Sequence, residues 1–451
     1  MTWRPLNTSA TGSTIDIVIT QTYSWTYSVI QCTENMTATN EMIPVNASYA
    51  SLASRTLDCI ATCGSSGGYI APPIVPYCTD VSASVGTTVG QRLDTVSIQT
   101  GSDFAVGFND SSWRELAQGT GAPWSIATRI NLIPRSDTGF YNNAPVATMM
   151  SPVNIVKDQP TIIKIPIGDA DGDDLRCRWS TSTSGIDECG GTCPPNSLPA
   201  NTTIFPNCTI IITGTIVDKW YAITLMVEDF ISSSSMTPLS ATPVQFLVHV
   251  VAPPLCSIPP KITGVPIEQS CTPILVGQTF TSILYAKNSC GSNVTIVDIA
   301  TLSYAGVLKS SITVLNETTY YKDFSWTPTA AQVGYQVVCA MAFDSQDSQS
   351  SQYCFKFYVS VLGVCVCPEH RLLVPQDLLQ RVQRRQPLVP HLVQQRQLQA
   401  HRLLQQLQHR LLVPQDLLQR VQRHQPLVPH LVQQRQLQAH RLLQQLRMKP
   451  L

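Results

Sequence analysis

Asp169-Ala-Asp-Gly-Asp-Asp174 places four carboxylates within six residues around one glycine, a donor set suited to a hard cation. Calcium takes about six to eight oxygen ligands from flexible loops, so the ion this spacing calls for is Ca²⁺. The loop is not an EF-hand. Asp174 stands where that loop needs glycine, and Ser180 stands where it needs the closing glutamate. Glu228 and Asp229, on the turn after the apolar run Tyr221–Val227, are placed to approach the same end and complete the set. The competing reading is a solvated acidic turn ahead of a strand at Leu175–Trp179.

Other chemistry is weakly supported. Gly64-Ser-Ser-Gly-Gly68 matches a nucleophile elbow with Ser66 as nucleophile, but that device needs a strand, a turn, a helix and a histidine base. Tyr69-Ile-Ala-Pro-Pro-Ile-Val-Pro76 follows instead and cannot continue a helix. The sole histidine before residue 368 is His249, in a distant strand-like run. No phosphate-binding glycine loop is present, and nucleic acid is excluded as a partner on charge. Trp25, Trp113, Trp124, Trp179, Trp220 and Trp326 would form a carbohydrate-binding face if they met on one surface. Spread singly along the chain, they fit sandwich cores better.

The cysteines set the compartment. Cys32, Cys59, Cys63 and Cys78 form one group, and Cys177, Cys189, Cys193 and Cys208 a second. A third comprises Cys256, Cys271, Cys290, Cys339 and Cys354, with Cys365 and Cys367 beyond. Groups of four on a β-type chain fit two disulfides each, with pairing left open, and disulfides persist only in oxidising compartments. Zinc at Cys59-x3-Cys63 or Cys189-x3-Cys193 is the alternative, but zinc knuckles pair two close couples and no histidine lies near either. Eight Asn-x-Ser/Thr acceptors agree with an extracellular fate: Asn7, Asn35, Asn46, Asn109, Asn201, Asn207, Asn293 and Asn316. Met1–Asn7 lacks the apolar core of a secretory leader, so this reading predicts a piece of a longer product. The apolar run Val359–Cys367 is far shorter than a membrane span, and no membrane span is expected.

The elements that would position these residues are strands. Thr14–Thr20, Tyr221–Val227 and Val244–Val251 are β-branched or aromatic runs separated from their neighbours by Gly, Pro, Asn and Ser clusters. Ser111–Ala117 has room for one or two helical turns. Seams at Asn142-Asn-Ala-Pro145 and Ala252-Pro-Pro254 divide the chain into a disulfide-containing β-rich domain at 1–141 and further modules at 142–253 and 254–363. The last two share a plan: a Tyr-led strand, an acidic turn, a Ser-rich loop and a final strand. These are Trp220–Val227 with Val244–Val251, and Gly334–Ala342 with Cys354–Val361.

That plan resembles the closing hairpin of the tandem Ig-like and cadherin-like sandwich modules of large invertebrate surface or secreted proteins, over residues 144–362. The resemblance implies an all-β, antiparallel β-sandwich fold and, since Asp-x-Asp-Gly-Asp loops open strands in such modules, a calcium role for that loop. Cys177-Arg-Trp179 departs from the antibody order of Cys and Trp, and interdomain calcium signatures of true cadherins are absent.

Residues 364–451 are a different kind of chain. From Pro368 the sequence holds 13 basic and 3 acidic residues against 16 and 26 before it, and it contains no Ser or Thr. Residues 371–409 repeat from Arg410 with a period of 39. Read literally, His391–Val413 is a basic amphipathic helix for a partner or a membrane surface. Yet Leu, Gln, Arg, Pro and His make up 69 of these 84 residues, and all have codons beginning with C. Translation of a Ser/Thr/Pro-rich mucin-like repeat out of frame gives that composition, and this is the preferred explanation. The expected function is a non-enzymatic extracellular structural or adhesive module array with an extracellular protein or glycan ligand. A lectin-like secreted protein is the alternative.

Overall fold

The computed structural model describes residues 1–361 apart from Asn46, Thr120 and Ser184. The expectations for the 364–451 tail, for Cys365 and Cys367, and for the Asn46 acceptor lie outside the described residues.

Seven strands build the first sandwich: β1 (Thr2–Pro5), β2 (Thr14–Thr26), β3 (Asp58–Ala61), β4 (Tyr77–Ser82), β5 (Thr87–Gln99), β6 (Asp103–Asp110) and β7 (Trp124–Asn131). A sheet of order β1-β2-β5-β4 faces β7-β6-β3. Ile15, Ile17 and Ile19 alternate along β2, as the two-residue strand period demands, and meet Ile98, Phe104, Val106 and Ile130 between the layers.

The second comprises β8 (Val146–Ala147), β9 (Val153–Val156), β10 (Thr161–Lys164), β11 (Ile167–Gly168), β12 (Asp174–Trp179), β13 (Ser182–Thr183), β14 (Ile186–Asp187), β15 (Thr203–Phe205), β16 (Thr209–Ile212), β17 (Trp220–Phe230) and β18 (Ser240–Val251). Sheet β10-β16-β15 lies over β12-β17-β18. Tyr221–Val227 is buried on both faces because both are covered. Tyr221, Ile223, Leu225 and Val227 enter the core, while Thr224 on the other face donates to the carbonyl of Thr192 in the Cys189–Cys193 loop (3.2 Å).

The third is β19 (Lys261–Gly264), β20 (Cys271–Leu275), β21 (Phe280–Lys287), β22 (Ile296–Leu302), β23 (Leu308–Lys309), β24 (Thr313–Asn316), β25 (Thr319–Trp326), β26 (Gly334–Asp344) and β27 (Tyr353–Ser360). Sheet β19-β21-β25-β23 faces β20-β27-β26-β22 around Trp326, Phe324, Phe355 and Phe357. The expected closing hairpins are present as the antiparallel pairs β17/β18 and β26/β27. Ser111–Ala117 forms no helix.

The sandwiches are joined more closely than beads on a string. Strand β18 also pairs with β7 through Ala241 and Arg129, so β12-β17-β18-β7-β6-β3 is one continuous sheet. The third sandwich packs back on the first. Along β26, Val338, Ala340 and Ala342 point into their own core. The alternate residues Val337, Cys339, Met341 and Phe343 enter a separate cluster with Val89 of β5 and Met150. Each such buried side chain contributes roughly 1.5–3 kcal/mol relative to exposure.

Polar residues lock this contact. Asp80 of β4, 2% exposed, accepts from the Ser303 amide and hydroxyl (both 2.8 Å), from the Thr301 hydroxyl and from the Lys309 ammonium. Burial lowers the pKa of Lys309, and Asp80 opposes that shift. The ammonium also donates to the Thr79 carbonyl (2.7 Å).

Cys32–Cys78, Cys59–Cys63, Cys177–Cys208, Cys189–Cys193, Cys256–Cys290 and Cys339–Cys354 are disulfides. Each of the first two cysteine groups forms its two bridges within itself. Both Cys-x3-Cys couples, including the one beside Asp187, are thereby joined sulfur to sulfur and offer no thiolate to zinc.

Candidate metal centre at the seam between the first two sandwiches

Three of the anticipated carboxylates converge. Oxygens of Asp169, Asp173 and Asp229 all lie within 4.8 Å of one another. Asp169 and Asp173 come from the loop before β12, where Gly172 at φ +77 makes the turn that folds the loop back on itself. Asp229 is the penultimate residue of β17, opposite Ser240 of β18. Its Oδ1 accepts from the Ser240 amide (2.6 Å) and hydroxyl (2.8 Å), and its Oδ2 accepts from Asn142 Nδ2 (2.6 Å). Asp171 stands at the rim, accepting from the Asn143 amide (2.7 Å) and Nδ2 (2.8 Å).

Two expected ligands are elsewhere. Asp174 pairs with Arg176 (2.8 Å), and Glu228 pairs with Arg178 (2.8 Å), which also holds Glu188. The alternation along the strand explains Glu228: one residue from Asp229, it faces the opposite side of the sheet.

A residue that sequence reasoning did not select completes the site. Arg135, with 4% of its side chain exposed, leaves the segment after β7 and reaches Asp137 (2.9 Å), Asp171 (3.3 Å), both oxygens of Asp173, and Asn142 Oδ1 (2.8 Å). The signal was present at the first seam, where Arg135-Ser-Asp137 and Asn142-Asn143 stand within a few residues of one another. Linker residues of the first sandwich thus interleave with the acidic loop of the second.

The charges do not balance with every carboxylate ionised. Burial, reinforced by Asp229, Asp173 and Asp171, drives the pKa of Asp169 well above the carboxylate range. Burial also lifts Asp229 to about 7 against the bonds from Asn142 and Ser240, and raises Asp171. The hydrogen bond from Arg135 lowers Asp137. Burial alone would lower Arg135, but Asp173 and Asp137 outweigh it and raise the guanidinium.

One atom is left over. Asp169 Oδ1 accepts from the Asp171 (2.8 Å) and Asp173 (3.2 Å) amides, while Oδ2 is buried with no hydrogen-bond partner. An orphan carboxylate oxygen beside carboxylates already held by Arg135, Asn142 and Ser240 has two remedies: it carries a proton, or it meets a hard cation that takes that proton's place.

The other motifs separate. Ser66 follows a short 3-10 turn at Cys63–Ser65, not a strand-to-helix elbow, and His249 stacks on Trp220 at 4.1 Å in another sandwich. Trp326 is core, and Trp179 packs on the second core. Trp25 and Trp124 pack on the first core as expected, and together with Trp113 and Trp220 they also border one cleft. The seven described glycosylation acceptors are all exposed.

No known family and no curated protein matches this chain. Among solved structures it is similar to the sialic acid binding region of a Streptococcus sanguinis adhesin, at 9% identity and TM-score 0.18, covering 48% of this chain and 78% of that one. It is also similar to fibronectin(III)-like modules of Clostridium thermocellum CbhA, at 14% identity and TM-score 0.16, covering 50% and 100%. The N-terminal eight Ig domains of Down Syndrome Cell Adhesion Molecule give 14% identity and TM-score 0.16 over 68% and 33%. Likeness this slight carries no argument. The strand pairing itself establishes an all-β protein of sandwiches whose ladders, among the described residues, are antiparallel except for the parallel pairs β9/β18 and β20/β27.

Proposed function

We propose that this chain is a non-enzymatic structural or adhesive module array of an extracellular protein, with modules at 1–141, 142–253 and 254–363. The observation that carries the reading is the set of six disulfides among the described residues, at least one in every sandwich, since such bonds survive only in oxidising surroundings. Exposed acceptors at Asn7, Asn35, Asn109, Asn201, Asn207, Asn293 and Asn316 support secretion and glycosylation. Among the described residues no helix is long and apolar enough to cross a membrane. Its ligand would be an extracellular protein or a glycan.

In this reading the cage of Asp169, Asp173 and Asp229, rimmed by Asp171, takes up Ca²⁺ and fixes the angle between the first two sandwiches. The orphan oxygen of Asp169 supports the assignment. Calcium here supplies charge compensation and no chemistry. The test is thermal unfolding of the full chain in millimolar CaCl₂ and in EDTA. Calcium should raise the melting temperature in the parent and in Asp174→Asn, and leave Asp169→Asn unmoved. Identical melts in CaCl₂ and EDTA would remove calcium from the account. The compartment is tested separately, by mass and thiol titration of chain secreted from eukaryotic cells. N-glycans with few free thiols support it, and reduced, unglycosylated protein overturns it.

A further inference from the structure

The geometry points to a saccharide-binding cleft between the first and second sandwiches, separate from the acidic cage. The cleft has a volume of about 430 Å³, within the rough 300–1,000 Å³ range of small-molecule sites. Tyr23 and Trp25 reach it from β2, Trp124 from β7, Trp113 from the β6–β7 loop and Trp220 from β17. Four of the chain's seven tryptophans therefore border one opening, although they lie up to 195 positions apart.

The rings differ in what they leave open. Trp220 is spoken for: the Arg114 guanidinium lies 3.4 Å over it and His249 stacks on it at 4.1 Å. Trp25 and Trp124 flank Tyr23, with centroids 5.7 and 6.3 Å away, and both are only half-buried. Indole rings held in this way present flat apolar surface to the C–H face of a pyranose.

The polar groups around them have unused capacity. Trp113 Nε1 is buried with no hydrogen-bond partner, although an indole N–H can only donate. Arg114 makes no ion pair among the described residues. Asp110 contributes a carboxylate that accepts from the Ser111 amide (2.7 Å) and retains lone pairs for a hydroxyl. Apolar faces beside donors awaiting oxygen and an acceptor awaiting O–H match a ring with alternating C–H patches and hydroxyls. A purely apolar occupant would leave the Trp113 N–H unsatisfied. The wider groove between the second and third sandwiches, about 1,130 Å³, has no aromatic side chain in its lining.

Trp113 and Arg114 lie on a loop outside the core clusters, so they can be changed without opening a core. The full chain is applied in EDTA to an array of neutral and acidic mono- to tetrasaccharides, keeping the result independent of calcium, and the strongest ligand is titrated by calorimetry. The expected result is saturable binding that falls at least tenfold in Trp113→Ala and in Arg114→Gln, and is unchanged in Trp179→Phe. Trp113→Phe keeps the ring and loses the donor, and should show an intermediate loss. The proposal is overturned if no printed saccharide is retained, if both loop variants bind as the parent does, or if the cleft takes up an anilinonaphthalene dye and no sugar.

Discussion

Asp80→Asn should undock the third sandwich from the first. In the native contact one Asp80 oxygen takes the Thr301 hydroxyl and the Lys309 ammonium, and the other takes the Ser303 amide and hydroxyl. An amide in the same place turns one of these acceptors into a donor aimed at donors, and it strands Lys309, whose side chain is 12% exposed. Breaking a buried pair by removing one partner costs about 3–5 kcal/mol. The interface also holds the cluster around Val89, Met150, Met341 and Phe343, so the loss should appear as opening of that contact rather than collapse of either core. Urea unfolding of the full chain should show an early transition in Asp80→Asn, and small-angle scattering below it should show a larger radius of gyration. Because burial already works against the Lys309 charge, replacing both groups by apolar residues, Asp80→Leu with Lys309→Met, should recover most of the loss. The reasoning fails if Asp80→Asn costs less than about 1 kcal/mol with unchanged scattering, or if the double replacement is worse than either single one.

Other outcomes follow from the same structure. In EDTA, Asp229 titrates at about 7 when folded against 3.8 unfolded. Folded protein then holds the proton more tightly, and stability should be full below pH 4 and decline through pH 7 by on the order of 4 kcal/mol. Calcium, which needs ionised ligands, should reverse that slope, and a flat profile of melting temperature against pH in both conditions refutes the argument. Loop-closure entropy gives about 4 kcal/mol for the 46-residue separation of Cys32 and Cys78 and about 2 kcal/mol for the 4-residue separation of Cys59 and Cys63. Paired alanine replacements compared in urea should keep that order. Gly190 sits at φ +58, where a Cβ would lie 2.5 Å from the Pro123 carbonyl oxygen. Gly190→Ala should therefore cost at least about 2 kcal/mol in the same assay.

The strands were legible because β2, β17 and β18 carry β-branched runs whose period matches their burial. The likeness of the β17/β18 and β26/β27 hairpins showed in order and spacing alone. The acidic loop was legible as a cluster of oxygens. What the sequence concealed was long-range geometry. No local signal sets Asp80 against Lys309, 229 positions apart, or separates Asp229 from Glu228 until strand direction is known. Arg135 was hidden differently: a single arginine near a seam is ordinary until the loop that it neutralises folds beside it. The tryptophans were legible in part: Trp25, Trp124, Trp179 and Trp326 serve the cores of their own sandwiches, but only the packing of two sandwiches brings Trp25, Trp113, Trp124 and Trp220 to one cleft.

The strand pairing of β18 with β7 bears on what can be moved as a unit. Cutting at Asn142-Asn-Ala-Pro145 would strip β18 of its neighbour along the Ala241 end, leaving bare amides and carbonyls ready to recruit another chain. The same cut would part Arg135 from Asp173. Duplication, exchange between genes or transplantation into a new host protein should therefore keep the first two sandwiches together, along with the third that covers Val89 and Asp80. A single sandwich lifted out at that seam should come away sticky and self-associating.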